Sequence, residues 1–377
     1  MSISEDIKDY ALDLGYSRVG ITNADEFTGY REELNSRYDM YSWYVEGGFQ
    51  PLKGADPKSV MPSAKSIITV VYDASGESFP RKLVGKVGRL YQARAYLAPK
   101  DRINGARRHL MREFLEKIGC QVAPRLVVPE RLAAGRAGLT TYGRNTFAYA
   151  EGIGSFIVII SFVVDMELNY DACPIEVKCP DKCNVCIDSC PTGALYEPLK
   201  MNPRRCIAFN TFSTQDGSPG GVTSYIAPEI REKMGSWIHG CDICQEVCPR
   251  NQERLKADLP QNEFLNKIAK DFELTSVLNL TDEFYEKRIK PMMFNYLRDK
   301  KYFQRNAAIA LGNTRDPMFI PDLEKAMENS EALVRGYAAW ALGRIGGSGA
   351  RQILESGLAR ETDDFAKREI ETAVAVV

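Results

Sequence analysis

Histidine is nearly missing from this chain: His109 and His239 are the two present among 377 residues. That scarcity excludes a histidine-rich metal site and argues against a histidine-based catalytic triad. Net charge is scarce too, at −1, so any nucleic-acid partner must be met by a local basic patch rather than by a global field. Long apolar runs are absent. The longest, FIVIISFVV at 156–164, is too short to span a bilayer and reads as a buried strand. The N-terminal MSISEDIKDYALDLGY lacks the apolar core of an export signal, so the expectation is a cytoplasmic protein without a membrane segment. No G-x-G-x-x-G follows a strand and no G-x4-G-K-[ST] occurs, which leaves nicotinamide and P-loop chemistry unsupported.

Cysteine, by contrast, is plentiful and clustered. Of ten cysteines, eight fall between 179 and 248. In a reducing compartment, clustered thiols point to metal or redox chemistry rather than to disulfides. The first run, KCPDKCNVCIDSCPTGA, gives Cys179-x3-Cys183-x2-Cys186-x3-Cys190-Pro. The second is Cys206, a gap, then Cys241-x2-Cys244-x3-Cys248-Pro within HGCDICQEVCPRN. Bacterial ferredoxins use C-x2-C-x2-C-x3-C-P, in which three close thiolates wrap one cubane and the fourth crosses to its neighbour. Applied here, one [4Fe–4S] cluster takes Cys179, Cys183, Cys186 and Cys248, and the other takes Cys190, Cys206, Cys241 and Cys244. The x3 spacing after Cys179 departs from the pattern, and Cys173 is its nearest substitute. Zinc held by four thiolates is the alternative, but zinc ribbons show paired C-x2-C knuckles without the x3-C-P ending found here twice. Cys120 and Cys173 are otherwise expected as buried, inert thiols.

Around this region the pattern is α/β before and helical after. DIKDYALDLGY and RINGARRHLMREFLEKIGC read as amphipathic helices, and RVGITNA and KSIITVVYDA as strands. Glycines in GRAGLTTYGRNT and EGIGSF mark tight turns or close approach to a ligand. Near the C-terminus, 304–327 and 335–358 superimpose at a shift of 31, matching Ala307 with Ala338, Leu311 with Leu342, Gly312 with Gly343 and Leu323 with Leu354. Such paired helical hairpins of HEAT type must stack to bury their apolar faces, and they generally present a binding surface. Lys300, Lys301, Arg305, Arg335 and Arg344 suggest a basic stripe on it.

Taken together, ALDLGYSRVGITNAD, PSAKSIITVVYDAS, PERLAAGRAGL with YGRNT, CIDSCPTGAL, RRCIAFNTF, HGCDICQEVCPRN, and RNAAIALGN with AAWALGRIGG make the chain resemble the epoxyqueuosine reductase family, cobalamin-dependent iron–sulfur enzymes of tRNA modification. The resemblance implies an α/β + α architecture: an N-terminal α/β corrinoid-binding domain (1–168), a ferredoxin-like domain with two [4Fe–4S] clusters (169–260), and a helical segment with HEAT-like repeats (261–377). It implies cobalamin held against one cluster without a histidine lower ligand, a low-potential donor such as ferredoxin or flavodoxin, and a tRNA anticodon stem-loop bound through the C-terminal repeats. Gly138, Gly143, Arg144, Asn145, Gly154, Ser155 and His239 are the candidate cofactor contacts. One departure stands out. The family's acidic residue, proposed to donate a proton, lies in a stretch that here reads QVAPRLVVPER, placing Gln121 or Pro124 at its position. Tyr142 and Glu130 are the candidate replacements. The family's DYH-like stretch is also altered, to RAYLAPKDR. The departures leave open a corrinoid reductase of the same superfamily acting on another substrate, such as an organohalide or a protein-bound corrinoid. A carrier that uses the clusters alone is a third reading.

Overall fold

The structure is a computed structural model that describes residues 2–46, 50–92, 103–124, 128–171, 173–212, 225–293, 297 and 299–377. RAYLAPKDR (94–102), with Tyr96, lies outside the described residues.

The N-terminal part opens with helix α1 (Ile3–Asp13), started by a capping box in which Ser2 and Glu5 bond each other's backbone, so two otherwise orphaned amides are satisfied at once. Strand β1 (Arg18–Asn23) follows, then helix α2 (Tyr38–Val45), β2 (Ser66–Asp73), α3 (Ile103–Lys117), α4 (Glu130–Arg136) and β3 (Ile157–Val164). The three strands form one antiparallel sheet in the order β1-β2-β3, with Gly20 opposite Thr69 and Ile68 opposite Phe162. The central strand is apolar on both faces because helices cover both. On one face Ile7, Met111 and Leu115 pack against Ile21, Ile68, Val70 and Phe162. On the other, Phe27, Val128 and Ala133 pack against Ile67 and Val163. The strands and helices expected from the sequence therefore form, in a layered arrangement.

The cysteine region is built from short turns and one-turn helices, including Val185–Asp188, α5 (Ile207–Thr211) and Ile243–Glu246. Beyond it the repeats form α6 (Lys300–Thr314), α7 (Ile320–Met327), α8 (Ala332–Ile345), α9 (Ser348–Leu358) and α10 (Asp364–Val374). The glycines that recur at the 31-residue shift have a packing reason. A Cβ on Gly312 would come within 2.8 Å of Ala341, and one on Gly343 within 2.9 Å of Ala373. Glycine costs a helix interior roughly 1 kcal/mol relative to alanine, and here it lets α6, α8 and α10 approach closely. A single hydrophobic core runs from Leu83 and Val87 through Ile207, Ile230 and Ile238 into Phe303, Leu311 and Leu342.

Two expectations change. Cys120 is buried, but Cys173 is exposed; it lies beyond β3, its amide donating to Arg136 O at 3.0 Å and its sulfur beside Gly138. The basic stripe is not present as such. Arg305 is completely buried, and the other four cations are paired: Lys300 with Asp282, Lys301 with Asp299, Arg335 with Glu361 and Arg344 with Glu232. No described helix is long and apolar enough to cross a membrane.

Candidate functional site

The cysteines gather into two groups. Burial raises the pKa of Cys186, and the charges of Cys248, Cys179 and Cys183 raise it further. Burial likewise pushes Cys244 and Cys241 well up, with Cys206 and Cys190 adding to both, and Cys206 itself responds to Cys190. The structure thus brings Cys179, Cys183 and Cys186 to Cys248, and Cys190 and Cys206 to Cys241 and Cys244. Each run sends its last thiol, the one followed by proline, to the other run. Cys173 joins neither group. Four neighbouring thiolates repel one another unless a positive core lies among them, which is what a metal centre supplies. Among the described residues no three His, Cys, Asp or Glu side chains close around a single ion.

Backbone and side-chain contacts hold these loops. The Arg144 amide donates to Cys179 Sγ at 3.4 Å, and its guanidinium donates to Cys183 O and Asn184 Oδ1, both at 3.1 Å. Arg144 thus braces the first cysteine loop. Asn145 donates to Cys244 O at 2.9 Å and to Tyr149 Oη at 2.8 Å. Ser155 donates to Gln245 Oε1 at 2.8 Å, while Asn251 Nδ2 donates to Ser155 Oγ and Gln245 O. This buried network ties β3's leading edge to the second cysteine run.

The thiols of Cys190, Cys206, Cys241 and Cys244 line a cleft of about 340 Å³. The lining is otherwise largely apolar and aromatic, with Trp43, Phe147, Phe209 and Phe212, and Tyr44, Arg131 and Asn145 add polar groups. Trp43 and Phe209 sit with ring centroids 5.0 Å apart. Tyr44 Oη lies 3.5 Å from Tyr30 Oη. Of the seven candidate cofactor contacts, Asn145 alone lines this cleft. Gly138 and Gly154 line a second cavity of about 430 Å³ beside Cys173, Lys178 and Arg250. Gly143 backs onto the Tyr149 ring, where a Cβ would come within 2.6 Å. His239 is fully buried, with its ring centroid 4.4 Å from Tyr91, 4.9 Å from Phe212 and 5.5 Å from Phe303. Burial lowers its pKa to about 3 and neither nitrogen has a hydrogen-bond partner, so it is a neutral core ring set back from the cleft.

The candidate proton donors are also set back. Burial raises the Tyr142 hydroxyl to about 12, and the residue's amide and carbonyl are used by Glu176 and Lys178. Glu130 begins α4, and its carboxylate accepts from Ser161 N at 3.2 Å. Neither lines the cleft, and Gln121 and Pro124 are themselves exposed. The aromatic wall from α2 was missed by sequence reasoning; its signal was the aromatic run YSWY at 41–44.

Two predictions arise here. Gly154 has φ +94°, and a Cβ there would strike the Asn251 amide. G154A is expected to cost about 1–3 kcal/mol, read as a lower denaturant midpoint. Burial raises Glu130 from 4.5 to about 7. Because the folded-state pKa lies above the unfolded one, stability contributed by the protonated carboxyl is full below about 4.5 and is lost as pH rises through about 7. The stability of E130Q relative to the parent should therefore climb across that window, in denaturation curves taken from pH 4.5 to 8.

Residues 178–251 match the family of 4Fe-4S double cluster binding domains, and residues 291–375 match HEAT repeats. The chain is similar to the epoxyqueuosine reductase of Bacillus subtilis (strain 168), 28% identical over 385 residues and covering 100% of this chain and 96% of that protein. It is 30% identical over 365 residues to the epoxyqueuosine reductase of Lactococcus garvieae, covering 91% and 96%. A crystal structure of epoxyqueuosine reductase with a tRNA-Tyr epoxyqueuosine-modified tRNA stem loop superimposes with a TM-score of 0.79 at 27% identity, over 99% of this chain and 98% of that one.

Proposed function

This chain belongs to the epoxyqueuosine reductase family, and from that premise we propose that it reduces epoxyqueuosine to queuosine in tRNA, the last step of queuosine formation, in the cytoplasm. It is an oxidoreductase with a double [4Fe–4S] domain. The observation that carries the reading is one cleft lined by Cys190, Cys206, Cys241 and Cys244 together with aromatic rings. Removing an epoxide oxygen as water takes two electrons and two protons. We assign one cluster to Cys179, Cys183, Cys186 and Cys248 and the other to Cys190, Cys206, Cys241 and Cys244. A ferredoxin- or flavodoxin-like donor would feed the first, and the second would deliver electrons into the cleft.

The cleft residues fit a cobalamin. Trp43, Phe147, Phe209 and Phe212 would offer apolar faces to a flat macrocycle, and the cluster held by the four cleft-lining cysteines would supply electrons to it. When bound, cobalamin would supply the low-valent cobalt chemistry that breaks the epoxide's carbon–oxygen bond. Asn145 positions the wall by tying Cys244 O to the Tyr149 hydroxyl. The aromatic rings exclude water from the reacting centre. Tyr44 lines the cleft, with its hydroxyl beside that of Tyr30, and it is better placed than Tyr142 or Glu130, which do not line it, to give a proton to the departing oxygen. A tRNA stem-loop is the proposed macromolecular partner, as in the relative's complex.

Gln121 and Pro124, where the family's acid is expected, favour one second reading: a member of the same superfamily that reduces another substrate. The test is turnover. Protein reconstituted anaerobically with iron, sulfide and cobalamin, and given a low-potential donor, is offered an epoxyqueuosine-bearing anticodon stem-loop. Mass spectrometry is expected to find one oxygen lost from the base, and no loss without cobalamin. Intact substrate, with both clusters and cobalamin bound and reducible, would reject this substrate in favour of the second reading.

A further inference from the structure

Arginine 305 is an unusual residue to find in the interior of a repeat helix. It is 0% exposed, as is its neighbour Asn306, and both sit on α6, the first helix of the repeat module. Arg305 Nη2 donates to Asn210 O at 3.2 Å and Thr211 O at 3.4 Å. Its Nε donates to Asn306 Oδ1 at 3.0 Å, which fixes the amide's orientation. Asn306 Nδ2 then donates to Thr211 O at 2.9 Å and Ile238 O at 2.8 Å. Those carbonyls belong to the two segments that carry Cys206 and Cys241. Asn210 Nδ2 donates to Cys206 O at 2.9 Å. Thr211 Oγ1 accepts from the amide of Gly240, the residue before Cys241, at 2.9 Å. One turn of a repeat helix thus holds, within a few bonds, two of the four thiols that face the cleft.

From this geometry we propose that Arg305 and Asn306 are positioning residues for the cluster of Cys190, Cys206, Cys241 and Cys244, and that the buried charge of Arg305 acts on that cluster through the carbonyls it binds rather than by touching a thiol. The inference rests on the cluster assignment above. Four thiolates outweigh the positive charge of a [4Fe–4S] core, so the group is net negative and gains a further negative charge on reduction. A buried cation nearby favours the reduced form and raises the potential, as net charge and hydrogen bonding set cluster potentials generally. Burial lowers the Arg305 pKa to about 10, which still leaves the guanidinium charged at neutral pH. The contact also makes the repeat module and the cleft-facing cluster one mechanical unit.

The test is an electron paramagnetic resonance redox titration of the full chain with both clusters reconstituted. The parent, titrated first, must show two clusters, and C206A identifies which signal belongs to the cleft. A parent with fewer than two clusters would overturn the cluster assignment itself, and with it this inference. R305M is expected to lower the potential of the cleft-facing cluster and leave the other unchanged, and R305K to restore most of the shift. Unchanged potentials, or equal shifts in both clusters, would overturn the proposal, because general loosening does not discriminate between them. Should R305M give no soluble protein, N306A tests the same link without altering charge. Its cleft-facing cluster should lose iron to a chelator faster than in the parent while the other keeps its parental rate, and parental rates at both would overturn the proposal.

Discussion

Replacing Cys190 by alanine is expected to remove the cluster of the second cysteine run, not of its own. Cys190 lies in the first run, between Cys186 and Pro191, but its charge is felt at Cys206, Cys241 and Cys244. It does not figure at Cys186, where Cys248, Cys179 and Cys183 act instead. Losing one corner ligand exposes iron and leaves three buried thiolates without full compensation, so the cubane should not persist. C190A should therefore bind about half the parental iron and turn over no substrate, since the missing cluster is the one lining the cleft. C248A should lose the other cluster by the same logic. Iron and sulfide analysis beside resonance spectra of the two variants separates the cases. Retention in C190A of the signal that C206A abolishes would show that the runs do not exchange ligands.

The second large effect concerns the joint between cysteine region and repeats. Arg231, on the short helix Pro228–Arg231, is completely buried. Its two terminal nitrogens donate to Glu369 of α10 at 2.6 and 2.8 Å. The guanidinium also lies 4.3 Å from the Tyr337 ring centroid and 5.0 Å from that of Tyr225. An intact buried pair adds little net stability against an apolar replacement, but removing one partner strands a charge in low dielectric at about 3–5 kcal/mol. E369A should accordingly lower the unfolding midpoint sharply, by a large share of a domain's typical stability of about 5–15 kcal/mol. The double variant R231M/E369L should recover most of the loss, because it removes both charges. A small effect of E369A alone in denaturant titrations would show that the pair is solvated and not structural.

How far the sequence revealed this molecule depended on the range of the interactions involved. The double-cluster region was legible because ligand spacing is fixed by the reach of a few residues, and the x3-C-P endings suggested the ligand exchange proposed above. The 31-residue repeat was legible because Gly312 and Gly343 answer to the same helix contact. The strands at 66–73 and 157–164 announced themselves as apolar runs covered on both faces. What failed to show was set by tertiary placement. Trp43 and Tyr44 belong to a helix far along the chain from the thiols they face, and no local period marks that meeting. Arg305 reads as a surface cation until Asn210 and Thr211 are seen to supply its acceptors. Glycines 138 and 154 were correctly read as special backbone positions, with φ of +72° and +94°. They line the second cavity, however, while the cleft is lined by aromatic rings.

The measurement that bears most directly on the whole account is anomalous diffraction at the iron edge from crystals of the anaerobically reconstituted protein. Two separate iron peaks are predicted, one enclosed by Cys179, Cys183, Cys186 and Cys248, and the other by Cys190, Cys206, Cys241 and Cys244 on the wall of the cleft. A single iron site, or peaks at the zinc edge in their place, would contradict the assignment of two clusters and the route by which electrons reach the cleft.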